Sequence, residues 1–345
     1  MKQMMIVATS LFLFATLNVN SVFGQQGPIH VPSPGIVDGV FLPANIPTKR
    51  VVPYEPVREA DVVWSKRVWS FIDLRQKINH PLFYPLDDIN YGGVWTKNAT
   101  RWSLWTIIRM HIMNGDLTMF SPYNPTLMGF GGWDGDQLKY PIKPQDGGNF
   151  FTDSLFREQV SYYLGEVGPQ STNPCLIEDV NDPRFGEIKT RVDENGMEVY
   201  CYPPPDTTWF TSEDIIQYRL KEDWFFDKER SVMERRIIAI APVRYTKEIV
   251  NGKEQITGME EMFWLYFPHC RYVLNNYFAY NSHNDAQWMS FDDLFWKRKF
   301  HATIYKESNT YDREISTYRF GLDAIYEAET IKEEVRTIEH DVWSF

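Results

Sequence analysis

The spacing of apolar side chains along the chain predicts helices and strands in an irregular order. Apolar residues three or four positions apart are typical of a helix with one buried face. Trp64, Val68 and Ile72 follow this spacing, and the helix that they predict ends near Asn79-His80-Pro81. The further predicted helices are Leu104–Met113, Phe151–Leu164, one that opens at Phe210–Asp214, Phe291–Phe300 and Thr317–Thr337.

Apolar runs beside turn-forming residues predict strands. Arg236–Val243 and Met262–Phe267 are such runs, and Asn251-Gly252 between them is a hairpin signal. Asn195-Gly196 predicts another hairpin, because Asn-Gly readily adopts the left-handed turn. Alternating charges around aromatic side chains in Lys221–Arg230 indicate a half-buried helix that carries salt bridges. Helices separated by hairpins, without regular βαβ alternation, indicate the α+β class.

These elements divide the chain into four predicted parts. Residues 1–24 form a signal peptide, residues 25–57 an extended proline-rich arm, residues 58–205 a first α+β half, and residues 206–345 a second α+β half with an acidic C-terminal helix. The two halves share a loose plan of a tryptophan-bearing helix, strands and an aromatic helix. We therefore expect two loosely similar halves, each with helices packed on short antiparallel hairpins.

The first residues have the pattern of a secretory signal. Lys2 precedes the apolar run Ile6–Leu17, and small residues at Val22 and Gly24 favour cleavage near Gly24-Gln25. The run is shorter than the roughly 20 apolar residues that span a bilayer, and no later segment reaches that length. A buried N-terminal helix is the alternative. The pattern therefore predicts an exported protein without a membrane span.

The proline-rich arm is a candidate contact segment. Proline restricts the backbone and removes hydrogen-bond donors, so residues 25–57 are expected to be extended. The arm nevertheless carries many apolar side chains, which favours an arm that lies on a protein surface. Whether that surface belongs to the same chain or to a neighbour stays open. The side chains predicted to contact a partner are Ile29, Val31, Ile36, Phe41 and Leu42.

Composition and charge narrow the possible partners. The chain has 345 residues, of which 16% are aromatic, so it can form a sizeable core. Its net charge of −11 argues against nucleic acid, which requires a basic surface. Ten acidic and four basic residues fall between Glu307 and Phe345, an excess of six. A solvated helix face explains this excess, but Glu327, Glu333 and Glu334 could also meet a basic partner.

Three cysteines permit at most one internal disulfide. Cys175 and Cys201 flank the hairpin predicted at Asn195-Gly196 and are the favoured pair, because export would allow their oxidation. Three buried thiols, with Cys270 as the third, are an equal alternative. No two cysteines have the spacing of metal ligands.

A search for catalytic, cofactor and metal sites predicts none. The glycine-rich stretch Gly129–Gly135 lacks the strand and helix that a dinucleotide loop requires. Asp134 and Asp136 lack the remaining ligands of a calcium loop, and the seven histidines are scattered. Two rival functions remain. A carbohydrate or peptidoglycan binder would expose several of the 12 tryptophans on one face, and a hydrolase would have a pocket with converging carboxylates or histidines.

Six segments in fixed order resemble the GldN/PorN family of gliding motility and type IX secretion proteins of the Bacteroidota. The resemblance spans Arg58 to Trp343. The segments are Trp64–Pro85, Lys221–Ser231, Arg236–Pro242, Phe263–Pro268, Phe291–Trp296 and Ile304–Asn309.

This resemblance implies a structural, non-enzymatic protein without a cofactor. It implies a place in the periplasm, at the inner face of the outer membrane. The expected partners are a GldK/PorK-like lipoprotein, a GldM/PorM-like motor protein and neighbouring copies of the chain in a ring. The family has no catalytic residues that could be assigned to positions of this sequence.

Overall fold

An eight-stranded antiparallel sheet organises the described part of the chain. The computed structural model describes residues 50–90, 94–98, 101–125, 132–145, 147–168, 173–175, 186, 188, 190–192, 198–202, 207–250, 253–282, 284, 287 and 289–343. The described strands are β1 Val62–Asp73, β2 Asp88–Ile89, β3 Trp95–Thr96, β4 Met119–Ser121, β5 Tyr140–Ile142, β6 Gly165–Val167, β7 Thr190–Val192, β8 Glu198–Tyr200, β9 Thr207–Trp209, β10 Ile215–Asp227, β11 Val232–Val250, β12 Lys253–Glu261, β13 Trp264–Tyr266, β14 Phe278–Ala279, β15 Met289–Ser290 and β16 Thr303–Glu307.

The long hairpin of β10 and β11 lies at the centre of this sheet. The strand order is β16-β1-β10-β11-β13-β4-β5, and β12 pairs with a further part of β11. Four two-stranded sheets join β2 to β3, β6 to β9, β7 to β8 and β14 to β15. The described helices are α1 His80–Phe83, α2 Leu104–Asn114, α3 Ser154–Leu164, α4 Phe267–Leu274, α5 Phe291–Trp296 and α6 Leu322–Trp343. Short 3-10 turns lie at Glu59–Asp61, Lys77–Asn79, Ser212–Asp214 and Ile315–Thr317.

One face of β1 and β10 carries two hydrophobic clusters. Ile72 pairs in register with Tyr218, and both belong to a large cluster that includes residues of α2, α3, α4 and α5. Val68 is four positions earlier and therefore on the same face of the strand. It belongs to a smaller cluster with the buried side of α6, which consists of Ala328, Ile331 and Val335.

The prediction of two separate, loosely similar halves is not confirmed. β1, β4 and β5 come from before residue 205, and the other five strands of the main sheet come from after it. The large cluster likewise combines residues from both sides of that position. The coarser prediction of helices with antiparallel sheets is confirmed. Residues 50–58, where the predicted arm meets the body, form neither helix nor strand.

The predicted helix through Trp64, Val68 and Ile72 is wrong, because these residues lie in β1. A spacing of four is even, so it places side chains on one face of a strand as well as on one face of a helix. Val68 and Ile72 are fully buried, which either element would explain. Pairing with β10 on one side and β16 on the other provides the backbone hydrogen bonds that select the strand.

The predicted helix in Lys221–Arg230 is also wrong, since most of this segment lies in β10. Its predicted salt bridges are nevertheless present. Glu222 pairs with Arg298 at 2.7 Å, and Asp223 pairs with Arg67 at 2.6 Å. Adjacent residues of a strand point to opposite faces, so the two carboxylates find cations on different sides of the sheet.

The helix predicted to open at Phe210–Asp214 ends after a single 3-10 turn. Thr211 and Asp214 form the predicted capping interaction, because each side chain accepts a hydrogen bond from the other residue's backbone amide. β10 begins directly afterwards at Ile215. A capping box therefore marks a turn start without ensuring that a helix follows.

Two predicted helices are confirmed together with their end signals. Ser103 caps α2 by accepting from the amide of Thr106, and Gly115 ends it with a φ of 84°. A Cβ at Gly115 would also come within 2.8 Å of the Gly148 carbonyl oxygen. Both the positive φ and this close approach therefore favour glycine at this position. Asp153 caps α3 by accepting from the amides of Leu155 and Phe156. α5 and α6 are confirmed with shifted ends.

One predicted hairpin has the expected strands, and the other has a different second strand. β7 and β8, which precede and follow Asn195-Gly196 in the sequence, pair with Val192 opposite Glu198. β11 contains the predicted strand Arg236–Val243, but its hairpin partner is β12. The run Met262–Phe267 supplies the shorter strand β13, which pairs with β11 at Ala239 and Ile240.

Candidate interaction surfaces

The end of the predicted arm is seated in a cleft of its own chain. Tyr54 stacks on Trp296 of α5, with ring centroids 5.6 Å apart and an interplanar angle of 20°. The Arg271 guanidinium lies 4.5 Å from the Tyr54 ring and 4.8 Å from the Trp296 ring. We call this the arm cleft and define it by Tyr54, Arg236, Arg271, Asp292 and Trp296.

A buried ion pair holds the floor of the arm cleft. The Arg271 side chain is 3% exposed and donates to both carboxylate oxygens of Asp292, at 2.7 and 3.2 Å. Each charge has the other as its hydrogen-bonded partner, so loss of either side chain would leave the other unpaired in the interior. Burial raises the pKa of the Tyr54 hydroxyl to about 12, so the ring is neutral at physiological pH. The cleft therefore binds Tyr54 through its aromatic face over a fixed cation.

Glu55 makes two further contacts with β11 and the turn before it. Arg236 donates through Nη1 to the Glu55 carbonyl oxygen at 2.7 Å. Arg230 forms an ion pair with the Glu55 carboxylate. The open volume of the cleft is about 390 Å³. Its further lining residues include Arg235, Arg298 and, from α6, Glu339. These contacts attach Tyr54 and Glu55 to the body of the protein at a defined point.

The predicted contact residues of the arm lie outside the part of the chain that the structure describes. Ile29, Val31, Ile36, Phe41 and Leu42 all precede residue 50. Their role in partner binding stays a prediction.

The predicted contact residues of the C-terminal helix point in different directions. Glu327 is engaged within its own chain, because Arg319 Nε lies 3.4 Å from its carboxylate and the Tyr318 hydroxyl donates to it at 3.4 Å. Glu333 and Glu334 are exposed. Glu333 pairs with Arg336 one turn away at 3.3 Å, a weak surface pair. The structure therefore brings Glu333 and Glu334 to the surface, whereas Glu327 stabilises the start of the helix.

Cys175 and Cys201 are neighbours in the fold. The Cys175 amide donates to the Cys201 carbonyl oxygen at 2.7 Å, so the two backbones run side by side. The disulfide between them stays a prediction. Cys270 is buried in the large cluster, and burial raises the pKa of its thiol to about 12, which keeps it protonated and unreactive.

One relay of polar groups has the composition of a catalytic site, but its histidine and its tyrosine are buried. His111 contacts Asp116 through Nδ1 at 2.6 Å and the Tyr277 hydroxyl through Nε2 at 2.7 Å. His111 and Tyr277 are each 2% exposed, so a substrate cannot reach them in this conformation. Burial lowers the pKa of His111. The relay joins α2 to the turn that follows α4 and stabilises the packing of these two segments.

The two aspartates considered for calcium have separate partners. Asp134 pairs with Lys139 at 3.1 Å, and Asp136 pairs with Lys221 at 2.8 Å. Asp136 also accepts a hydrogen bond from the Trp69 indole at 2.6 Å. Among the described residues, no group of three His, Cys, Asp or Glu side chains is placed to hold a metal ion.

A carbohydrate binder would need several exposed tryptophans on one face, so the exposure of the tryptophans tests this alternative. Of the ten tryptophans whose exposure the structure describes, only Trp133 and Trp296 are exposed, at 52% and 50%. Trp296 is covered on one face by Tyr54 in the arm cleft, and Trp133 packs edge-on against Tyr123. The described tryptophans thus offer no row of exposed stacking rings.

Sequence reasoning missed the residues of the arm cleft. The available signal was Tyr54 and Glu55 between Pro53 and Pro56, an aromatic and a charged side chain in the otherwise proline-rich arm. Their partners lie about 180 to 240 positions later in the chain, and only the fold brings them close.

A comparison with known families decides the classification. A model of the family described as gliding motility associated protein GldN matches residues 57–344. The chain belongs to this GldN family. The match confirms the resemblance drawn from the six segments, and it begins just after Tyr54 and Glu55. No curated protein matches the chain in sequence. Among the described helices, none combines the length and the apolar character that a membrane span requires.

Proposed function

We propose that this GldN-family chain is a non-enzymatic structural subunit of the type IX secretion and gliding motility machinery. The family match over residues 57–344 carries the proposal, since it places the chain among gliding motility associated proteins. The proposed location is the periplasm, at the inner face of the outer membrane, after removal of the signal peptide near Gly24-Gln25.

The proposed assembly is a ring with a GldK/PorK-like lipoprotein, with further contacts to a GldM/PorM-like motor protein. Each copy would make modest contacts, and closure of the ring would add them together.

Purification from membranes tests this proposal. An affinity tag on the full chain, followed by electron microscopy of the purified material, is expected to show rings that contain the lipoprotein partner. A tagged chain that purifies alone, or with an unrelated set of proteins, would contradict the proposal.

Two deletions separate the contacts of the arm. Removal of residues 25–49 deletes the predicted contact residues and is therefore expected to abolish assembly. Because Tyr54 and Glu55 stay in the arm cleft, the body should remain folded. Removal of residues 25–56 also empties the cleft and should lower the thermal stability of the monomer. Intact rings after the shorter deletion would rule out the arm as the assembly contact.

A further inference from the structure

The first turns of α6 expose a row of large apolar side chains. Leu322, Ile325 and Tyr326 are 71%, 52% and 68% exposed, and their spacing of three and four places them on one side of the helix. Glu329 and Glu333 continue this row and are also exposed. We call these five residues the exposed ridge. Large adjacent apolar side chains in water indicate an interaction site.

The exposed ridge is distinct from the side of α6 that packs on the sheet. Ala328, Ile331 and Val335 face the small cluster and are at most 4% exposed. The helix contains seven acidic and two basic residues, so the surface around the ridge is strongly negative. Among the described residues, the ion-pair partners of the ridge carboxylates are Lys332 and Arg336, each three positions away. Such pairs are weak and can rearrange around an incoming partner.

A second surface has the opposite charge and a concave shape. It is an open pocket of about 700 Å³ between the segment around α1 and the segment that contains β15 and α5. Ile78, Tyr84 and Tyr280 line it and are 55%, 50% and 45% exposed. We call it the basic pocket, because Lys77, Arg101 and Lys299 lie among its lining residues.

The charges of the basic pocket are available to a partner. Lys77, Arg101 and Lys299 are exposed, and the described lining residues include no Asp or Glu. None of these three cations forms an ion pair with a described residue. The Arg101 guanidinium lies 4.7 Å from the Tyr280 ring, which fixes one cation over an aromatic wall. An apolar segment with adjacent carboxylates fits this chemistry.

We infer that the exposed ridge of one copy docks in the basic pocket of a second copy. The ridge supplies the convex apolar group and the carboxylates, and the pocket supplies the apolar walls and the cations. None of the described pocket-lining residues belongs to α6, so the two surfaces are different patches of the same chain. A contact between two different patches is head-to-tail, and its repetition generates a ring or a filament. The inference rests on the proposed function for its setting, because it assigns the contact between neighbouring copies.

Site-specific photocrosslinking locates the contact even if it is weak. The full mature chain carries a benzophenone amino acid in place of Tyr326, and copies with light and heavy nitrogen are mixed. The expected adduct joins position 326 of one copy to residues 77–84 or 280–299 of a copy of the other isotope. The same probe in place of Ile256, which is 61% exposed on β12, is the control and should not label the pocket. Adducts from position 326 that map elsewhere, or none between copies, would overturn the inference.

A mixing experiment tests the head-to-tail geometry. Ile325→Ser with Tyr326→Ser removes the ridge, and Lys77→Glu with Lys299→Glu reverses the charge of the pocket. Each variant alone is expected to associate about 10- to 100-fold more weakly than the wild type, as for loss of an interface hot spot. An equimolar mixture has one intact ridge and one intact pocket, so it should stop at dimers in sedimentation velocity. Higher salt should weaken the wild-type contact.

The controls distinguish this contact from folding and from the wider assembly. Lys297→Glu changes an exposed lysine that is not among the described residues of the pocket and should associate like the wild type. Thermal unfolding should be unchanged in all variants, since every changed side chain is exposed. Variants that associate like the wild type would overturn the inference, and rings with the lipoprotein from the same variants would leave the proposed function intact. An absence of rings with the lipoprotein, in the variants or in the wild type, would contradict the proposed function. If the crosslink from position 326 to the pocket were retained, the inferred contact between copies would still stand.

Discussion

The arm cleft and the exposed ridge use similar side chains in opposite surroundings. In the cleft, Arg271 is 3% exposed, pairs with a buried carboxylate and lies against two aromatic rings. On the ridge, Tyr326 is 68% exposed and its acidic neighbours face water. Buried charges are costly when they lose a partner, whereas exposed charges contribute little to folding. The cleft therefore stabilises the chain, and the ridge keeps its aromatic and charged groups available for binding.

The largest expected effect comes from a buried carboxylate at the edge of the arm cleft. Arg298→Ala leaves Glu222, which is fully buried, without its two-point cation. We expect the free energy of unfolding to fall by about 3–5 kcal/mol in urea denaturation. Arg336→Ala is the matched control on α6, where the arginine is 69% exposed, and it should change stability by less than about 0.5 kcal/mol. If the two substitutions lowered the free energy of unfolding equally, the buried pair would contribute no more to stability than the exposed one, against this prediction.

Loss of the Tyr54 ring should have the next largest effect. Tyr54→Ala removes the ring contacts with Trp296 and Arg271, and we expect a loss of about 1–3 kcal/mol in the free energy of unfolding. Limited proteolysis should then cut near residues 50–57 faster than in the wild type. Tyr54→Phe keeps the ring and should behave like the wild type in both measurements. Unchanged proteolysis of Tyr54→Ala would show that the cleft does not hold the arm.

The buried histidine of the relay, His111, predicts a dependence of stability on pH. Burial lowers the pKa of His111 below its usual 6.5, so the folded state binds this proton less readily than the unfolded state. Stability should therefore fall as the pH drops below about 6.5, by up to about 1.4 kcal/mol per pH unit. His111→Gln should remove this part of the slope in unfolding measurements at pH 7.5 to 5. His340→Gln, at an exposed position of α6, is the control. A slope that survives His111→Gln would assign the effect to another group.

The smallest effect on folding is expected at the exposed acids of α6. Glu333→Lys and Glu334→Lys should each change the free energy of unfolding by less than about 0.5 kcal/mol. The same substitutions should weaken binding to a basic partner, more strongly at low salt than at high salt. Glu327→Gln has a different expected result, since it removes a carboxylate that contacts Arg319 and Tyr318 and should lower the stability of α6. Binding and stability can be read in parallel by sedimentation and thermal unfolding.

Local signals predicted those elements whose ends are marked within a few residues. Ser103 and Gly115 bound α2, and Asp153 starts α3, because capping depends on side chains and backbone groups only a few positions apart. The family resemblance was also readable from short segments. The prediction failed for Trp64–Ile72, where a spacing of four fits both a helix and a strand.

The sequence by itself determined the composition of both surfaces. It showed a proline-rich segment followed by Tyr54 and Glu55, and an acidic C-terminal helix with an apolar repeat. Only the tertiary structure decided which of these groups are buried. The contacts that decide burial join residues far apart in the sequence. Examples are the pairing of β1 with β10, the stacking of Tyr54 on Trp296 and the ion pair of Glu222 with Arg298. Burial and charge pairing depend on such long-range contacts, which the spacing of residues within one segment does not encode.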